Sequence, residues 1–174
     1  MSIDIDKPSQ LLLAIAQTLG AAASGLKVAS RHDFDATFDQ AWALIACERN
    51  ASASRAPDGR IAHVLTISLQ IITSPTLDDP GLAACDVASV LKGLITDNRW
   101  GLARSQCDLP ENINASPSIF LNDALEYSAW TLSFNQTLYL GALLLDDPLG
   151  IPKFARTWEV SNIDDPDQYT ELED

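Results

Sequence analysis

The sequence predicts an α+β domain, with an antiparallel or mixed β-sheet, two α-helices packed on one face of the sheet, and a long β-hairpin. Two long segments alternate apolar and polar residues with a period of two, which is typical of half-buried strands. Two other segments repeat apolar residues at helical spacing, and each of them opens with a proline. The predicted order is therefore helix, strand, hairpin, helix, loops and a long final strand.

The final strand is predicted over residues 130–140. One of its faces is apolar and consists of Trp130, Leu132, Phe134, Leu138 and Leu140. Gln136 alone interrupts that face, and Thr, Ser, Asn and Tyr occupy the other. The second alternating segment, residues 61–72, has an apolar face made of Leu65, Ile67, Leu69 and Ile71. Because each of these two strands has one apolar face to bury, we expect them to share one hydrophobic core.

The first helix is predicted over residues 8–19, with Pro8 at its first position and Gly20 as its stop. Its expected apolar stripe is Leu12, Ile15, Ala16 and Leu19, widened by Leu11 and Leu13. The second helix is predicted to begin with Asp79 as N-cap and Pro80 behind it, and to end near Thr96. Its expected stripe is Val87, Val90, Leu91 and Leu94.

The remaining segments are shorter. Residues 26–28 predict a short strand, and residues 32–40 fit either a loop or a helical turn. Residues 42–48 predict the first strand of the hairpin, whose loop is expected over residues 50–59. Residues 100–122 predict loops with one or two short strands, one of them near 119–121. We expect one α+β domain over residues 1–145 and an acidic extension over 146–174, since residues 159–174 contain seven acids and no base.

Charge and composition disfavour some classes of protein. The formal net charge of −13 disfavours sequence-general binding to nucleic acid and attachment to anionic membranes. The first residues carry acids where a secretory signal carries bases, and no apolar run is long enough to span a bilayer. Three widely spaced cysteines suit reduced thiols in a cytoplasmic setting.

No catalytic motif appears in the sequence. No cysteine pair has zinc spacing, and there is no glycine-rich phosphate loop and no nucleophile elbow. Of the two histidines, His63 falls on the apolar face of its strand, which favours a structural role. We therefore predict no enzyme activity, no cofactor and no metal site. The alternative is a small α+β ligand-binding domain or an enzyme of unknown chemistry.

Candidate contact residues lie in the hairpin and near the C-terminus. Arg49, Arg55 and Arg60 lie in or beside the hairpin loop and predict a basic projection on an acidic protein. The alternative for these arginines is an ordinary solvated loop. Phe154 and Trp158 are the aromatic residues expected to attach the first part of the acidic extension to its own domain or to a neighbour.

The order of these elements resembles a known family. The helix from Pro8, the Ala-rich step to Leu26-Lys27-Val28, the hairpin over residues 42–72, the helix from Pro80 and the strand opening Tyr127-Ser128-Ala129-Trp130 carry the resemblance. Over residues 8–141 they resemble the small tail terminator or tail completion proteins of long-tailed bacteriophages, including the Mu-like group.

The resemblance implies a structural protein of a phage or prophage. It implies a homo-oligomeric ring, commonly a hexamer, that caps the tail tube and takes part in head–tail joining. The partners would be further copies of the chain, the tail-tube protein and head-completion proteins, with no membrane and no sequence-specific nucleic acid. The protein would lie in the host cytoplasm during assembly and then in the virion tail.

Overall fold

The computed structural model describes residues 5–142, which belong to one compact unit. In chain order its elements are α1 (Pro8–Ala22), β1 (Leu26–Ala29), a 3-10 helix (Arg31–Asp33), β2 (Ala41–Ser52), β3 (Ile61–Ile72), α2 (Pro80–Ile95), β4 (Glu111–Asn122) and β5 (Leu125–Leu140). Two helices and one five-stranded sheet confirm the predicted α+β class. The predicted extension over 146–174 lies outside the described residues.

The five strands form one mixed sheet in the order β1-β2-β3-β5-β4. β1 runs parallel to β2, and the other neighbouring pairs are antiparallel. β1 pairs only with Ala41–Leu44, so residues 45–52 of β2 have no strand on that side within the described part of the chain. The sheet therefore has two edges, one formed by β1 with the rest of β2 and the other by β4.

Both helices pack on one face of the sheet. The main core combines Leu11, Ile15 and Leu19 of α1, Ala84, Ala88, Leu91 and Ile95 of α2, and the inward face of β3 and β5. The predicted apolar face of β3 is confirmed, because Leu65, Ile67, Leu69 and Ile71 are all fully buried. β5 begins at Leu125, before the predicted start at Trp130, and Leu132, Phe134 and Leu138 face the same core.

Both helices lie where they were predicted, but part of each predicted apolar stripe is exposed. α1 continues past Gly20 to Ala22, because one interior glycine costs only about 1 kcal/mol and two alanines follow it. Leu13 is 61% exposed and Val90 is 58% exposed, so neither belongs to the buried stripe. The predicted N-cap is confirmed, since the Asp79 side chain accepts a hydrogen bond from the backbone nitrogen of Leu82 at 2.9 Å.

Two strand predictions were wrong in length. Residues 111–122 form one twelve-residue strand, where loops with short strands were expected. Pro117 is tolerated there because β4 is an edge strand, in which one side needs no ladder hydrogen bonds. β2 extends to Ser52, so the hairpin loop is shorter than predicted and Arg49 lies inside the strand.

A second, smaller core lies on the face opposite the helices. It consists of Trp42, Leu44, Ile72, Phe120, Tyr127 and Ala129, with Ala29, Phe34 and Phe38 packed against it. The segment 30–40, which connects the two parallel strands, brings Phe34 edge-on to Trp42 at 5.1 Å and to Phe120 at 4.9 Å between ring centroids. At this end of the sheet, the face on which Thr, Ser and Asn were predicted is therefore apolar and forms a core of its own.

Candidate interaction surface

Beyond the second core, the same sheet face carries small uncharged polar side chains. We call this region the open polar face and define it by Thr66, Ser68, Gln70, Asn114, Ser116, Ser118, Thr131, Ser133, Asn135 and Thr137. Partners in the register share a face, so these residues form rows across the strands, such as Ser68 of β3, Ser133 of β5 and Asn114 of β4. Both helices pack on the other side of the sheet.

Hydrogen bonds between neighbouring strands hold the side chains of the open polar face in place. The Thr66 hydroxyl donates to Asn135 Oδ1 at 3.0 Å, and the Thr131 hydroxyl donates to Ser118 Oγ at 2.9 Å. Gln70 Nε2 reaches across β5 and donates to the Ile119 carbonyl at 3.1 Å. Because their rotamers are already restricted, these side chains lose little conformational entropy when a partner binds.

Charged residues stand at the two ends of one row of this face. The row runs from Arg49 of β2 through Thr66 and Asn135 to Glu111 of β4. Arg49 and Glu111 are both exposed and lie at opposite edges of the sheet. Next to Arg49, Glu48 is the extra residue of a β-bulge, and its carboxylate accepts a hydrogen bond from Ser68.

The three predicted arginines do not form one basic projection. Arg49 lies on the strand at the edge of the open polar face, whereas Arg55 and Arg60 belong to the hairpin loop. Arg55 Nη1 donates to the Gly59 carbonyl at 2.8 Å. Arg60 bonds the Asp58 carboxylate at 2.6 Å and also donates to the Ser105 carbonyl, and the Arg60 hydrogen bond lowers the pKa of Asp58.

Arg60 therefore ties the hairpin loop to another loop of the same chain. Only 11% of its side chain is exposed, which leaves little of it for a partner. Of the three arginines, Arg49 has the position that best suits a contact with another molecule. Phe154 and Trp158, the other predicted contact residues, lie outside the described residues.

A buried polar cluster that the sequence did not predict fastens residues 100–108 to β5. Gln136 is fully buried, and its Oε1 accepts a hydrogen bond from Trp100 Nε1 at 2.9 Å. Its Nε2 donates to the Asp108 carbonyl and to Cys107 Sγ. The interruption of the apolar face by Gln136 was the visible signal, although the sequence does not show its partners.

The Cys107 thiol and the Tyr139 hydroxyl of this cluster favour their neutral forms. Burial raises the pKa of the Cys107 thiol to about 12, which makes it a poor nucleophile. The hydrogen bond that the Tyr139 hydroxyl donates to Asp108 Oδ2 at 2.8 Å raises the pKa of Tyr139. Together with the satisfied hydrogen bonds, these shifts indicate a structural cluster that joins a loop to the sheet.

Two open grooves lie on the helix side of the sheet. One, of about 610 Å³, is lined by Leu12, Leu13 and Ala16 of α1, Val28 of β1 and Ile45 of β2, with Ser9, Lys27, Ala29, Ser30 and Asp33. The other, of about 340 Å³, lies between the end of α1 and α2 and is lined mainly by Ala, Leu and Val, with Asp86 as its charged residue. Within residues 5–142, no three His, Cys, Asp or Glu side chains converge as metal ligands.

No protein-family model matches the chain, and no curated protein matches it with significant similarity. None of the helices in the described residues is long and apolar enough to cross a membrane.

Proposed function

We propose that this chain is a structural subunit of a phage or prophage tail, in which several copies form a ring that caps the tail tube and takes part in head–tail joining. The observation that carries the proposal is the open polar face, a broad and nearly uncharged surface of the sheet with ordered side chains. The main core lies on the opposite face of the sheet, where both helices cover it. The resemblance in element order over residues 8–141 supports the same assignment.

The physical properties of the open polar face suit contact with another protein. Small hydroxyl and amide groups lose less hydration energy on burial than charged groups, and they offer both donors and acceptors to a partner. The strands beneath the face are held by the main core, so the surface is rigid before contact. The acidity of the chain also suits a ring through which DNA passes, because acids do not bind phosphates.

The direct test is assembly. Solution mass is measured by light scattering over a concentration series, and negative-stain images are taken with and without the tail-tube protein of the same genome. We expect rings of the chain at tube ends and a stop to tube growth. A chain that stays monomeric and leaves tube length unchanged would remove this proposal.

A pair of variants tests the open polar face itself. Ser133→Arg puts a large cation in the middle of the face, at a residue whose neighbours across the strands are Ser68 and Asn114. Gln17→Arg makes the same kind of change at an exposed position of α1, far from that face. We expect the first variant to lose tube capping and the second to retain it, with both folded by circular dichroism.

The larger groove favours a second candidate function, a small ligand-binding domain. Its volume of about 610 Å³ falls in the range of small-molecule sites, and its lining is mostly apolar. The fluorescent probe anilinonaphthalene sulfonate tests this candidate. Saturable binding that is abolished by Ala16→Trp, which fills the groove, would favour a ligand site over an assembly subunit.

A further inference from the structure

The two edges of the sheet carry complementary apolar features. On β4, the exposed side chains of Ile119 and Leu121 are 59% and 56% accessible. They share a face with Ala115, which packs on the main core, because residues an even number apart on a strand point to the same side. This apolar ridge, Ile119 with Leu121, therefore lies in the helix layer at the β4 edge.

The opposite edge has a groove in the same layer. The 610 Å³ groove lies between α1 and the strands β1 and β2, where Leu13 is 61% exposed and Leu12, Val28 and Ile45 are partly buried against the main core. We call it the edge groove. Exposed Leu and Ile side chains of this kind mark contact surfaces when they lie together.

Charge also differs between the two edges. The hairpin of β4 and β5 contains Glu111, Asp123 and Glu126 and no lysine or arginine. The opposite edge carries Arg49, an exposed base on the free part of β2 that lies in the same row as Glu111. Lys27 of the edge groove is already paired with Asp35 at 3.5 Å, so Arg49 is the base of this edge that carries the comparison. Two copies placed edge to edge would bring Glu111 of one copy beside Arg49 of the other, which favours that pairing over contact between two β4 edges.

We propose that the apolar ridge of one copy of the chain docks into the edge groove of a second copy. This rests on the proposed function, because a contact between two different patches is heterologous and, when repeated, closes a ring or extends a filament. The apolar ridge and the edge groove are then the two surfaces through which neighbouring subunits of that ring meet.

The contact is made by side chains and does not extend the sheet ladder. Pro117 removes one backbone N–H from the middle of β4. Arg31 Nη2 donates to the Leu121 carbonyl at 2.9 Å, and Gln70 donates to the Ile119 carbonyl, so both ridge carbonyls already have partners. Such features protect edge strands from indiscriminate pairing and leave the apolar side chains as the docking elements.

Directed cross-linking of the full chain tests the contact. In a background with Cys47→Ser and Cys85→Ser, which leaves buried Cys107 as the remaining native thiol, Leu13→Cys and Ile119→Cys are placed on chains of different size and mixed with a short bis-maleimide reagent. We expect cross-linked dimers that contain one chain of each kind. When either chain is used alone, we expect no cross-linked dimers. Val90→Cys, which is 58% exposed in the other groove, is the control for random collision.

Each outcome decides the proposal. Cross-linking of Ile119→Cys with itself would mean a symmetric contact between β4 edges and would overturn it, as would mixed cross-linking no stronger than that of the control. Ile119→Asp should weaken self-association at least about tenfold, because burying one such side chain contributes more than the energy of a tenfold change. Association unchanged by Ile119→Asp would also overturn it.

The result separates this contact from the proposed function. Tube capping with no ridge-to-groove cross-link would retain the function and remove the contact. A ridge-to-groove cross-link in a chain that does not cap tubes would retain the contact and remove the function.

Discussion

Replacing the buried glutamine of β5 should destabilise the protein although the substitute is more apolar. In Gln136→Leu, the Trp100 Nε1–H loses its acceptor, and the Asp108 carbonyl loses the amide that bonds it. Trp100 is only 2% exposed, so water cannot replace the lost partner. A buried polar group left without a partner costs about 1–3 kcal/mol.

The magnitude follows from the two orphaned groups. The Trp100 group carries most of the cost, since Asp108 is half-buried and its carbonyl can gain some hydration. After the gain from burying a leucine is subtracted, we expect a net loss of about 2–3 kcal/mol in the free energy of unfolding. Urea denaturation followed by tryptophan fluorescence measures that loss as a lower midpoint at constant slope.

A double-mutant cycle shows whether the loss comes from this hydrogen bond. Trp100→Phe removes the donor, so Gln136→Leu should cost about 2 kcal/mol less in the Trp100→Phe background than in the wild type, because Trp100 carries most of the loss. Additive effects would show that the Trp100–Gln136 bond is not the cause. A Gln136→Leu protein as stable as the wild type would refute the reasoning altogether.

Three further predictions concern other parts of the chain. Arg60→Ala should lower the melting temperature in a thermal scan, because Arg60 joins two loops, whereas Arg49→Ala should change stability by less than about 0.5 kcal/mol; equal effects would contradict the assignment of their roles. Phe34→Ala should cost about 2–3 kcal/mol in urea denaturation, because Phe34 contacts four rings of the second core, and a change below about 0.5 kcal/mol would show that the second core contributes little. In a folded Cys85→Ser variant at pH 8, a maleimide should label exposed Cys47 and leave buried Cys107 unlabelled until urea is added, because a pKa of about 12 leaves about one thiol in ten thousand ionised; rapid labelling of both thiols would contradict this.

The sequence predicted the elements that depend only on residues close together in the chain. β3 has the predicted bounds because an alternating run between two turn segments needs no information from elsewhere in the chain. The Asp79 cap was predictable for the same reason. β4 was not, since its apolar residues are few, it contains Pro117, and its identity as an edge strand depends on pairing with a strand that follows it.

The second core could not be predicted because it unites residues distant in sequence. Phe34 and Phe38 lie in an acidic segment that looks like a loop, and the structure alone shows that this segment crosses the sheet to reach Phe120 and Tyr127. The open polar face was partly predictable, because the period of two identifies its members on β3 and β5. Its contribution from β4 required the register.

The long seam between β3 and β5 has a consequence for how the molecule can be divided. The seam joins two local hairpins through an unbroken register from Ile61 with Leu140 to Ile72 with Ala129. In the chain, the two hairpins are connected by residues 73–110, which contain an exposed turn, α2 and the loop after α2. A break between Thr76 and Leu77 would leave each hairpin intact with one helix attached. The two fragments should then recognise each other along the seam, so this fold offers a natural division for fragment complementation, in which sheet pairing replaces the peptide bond.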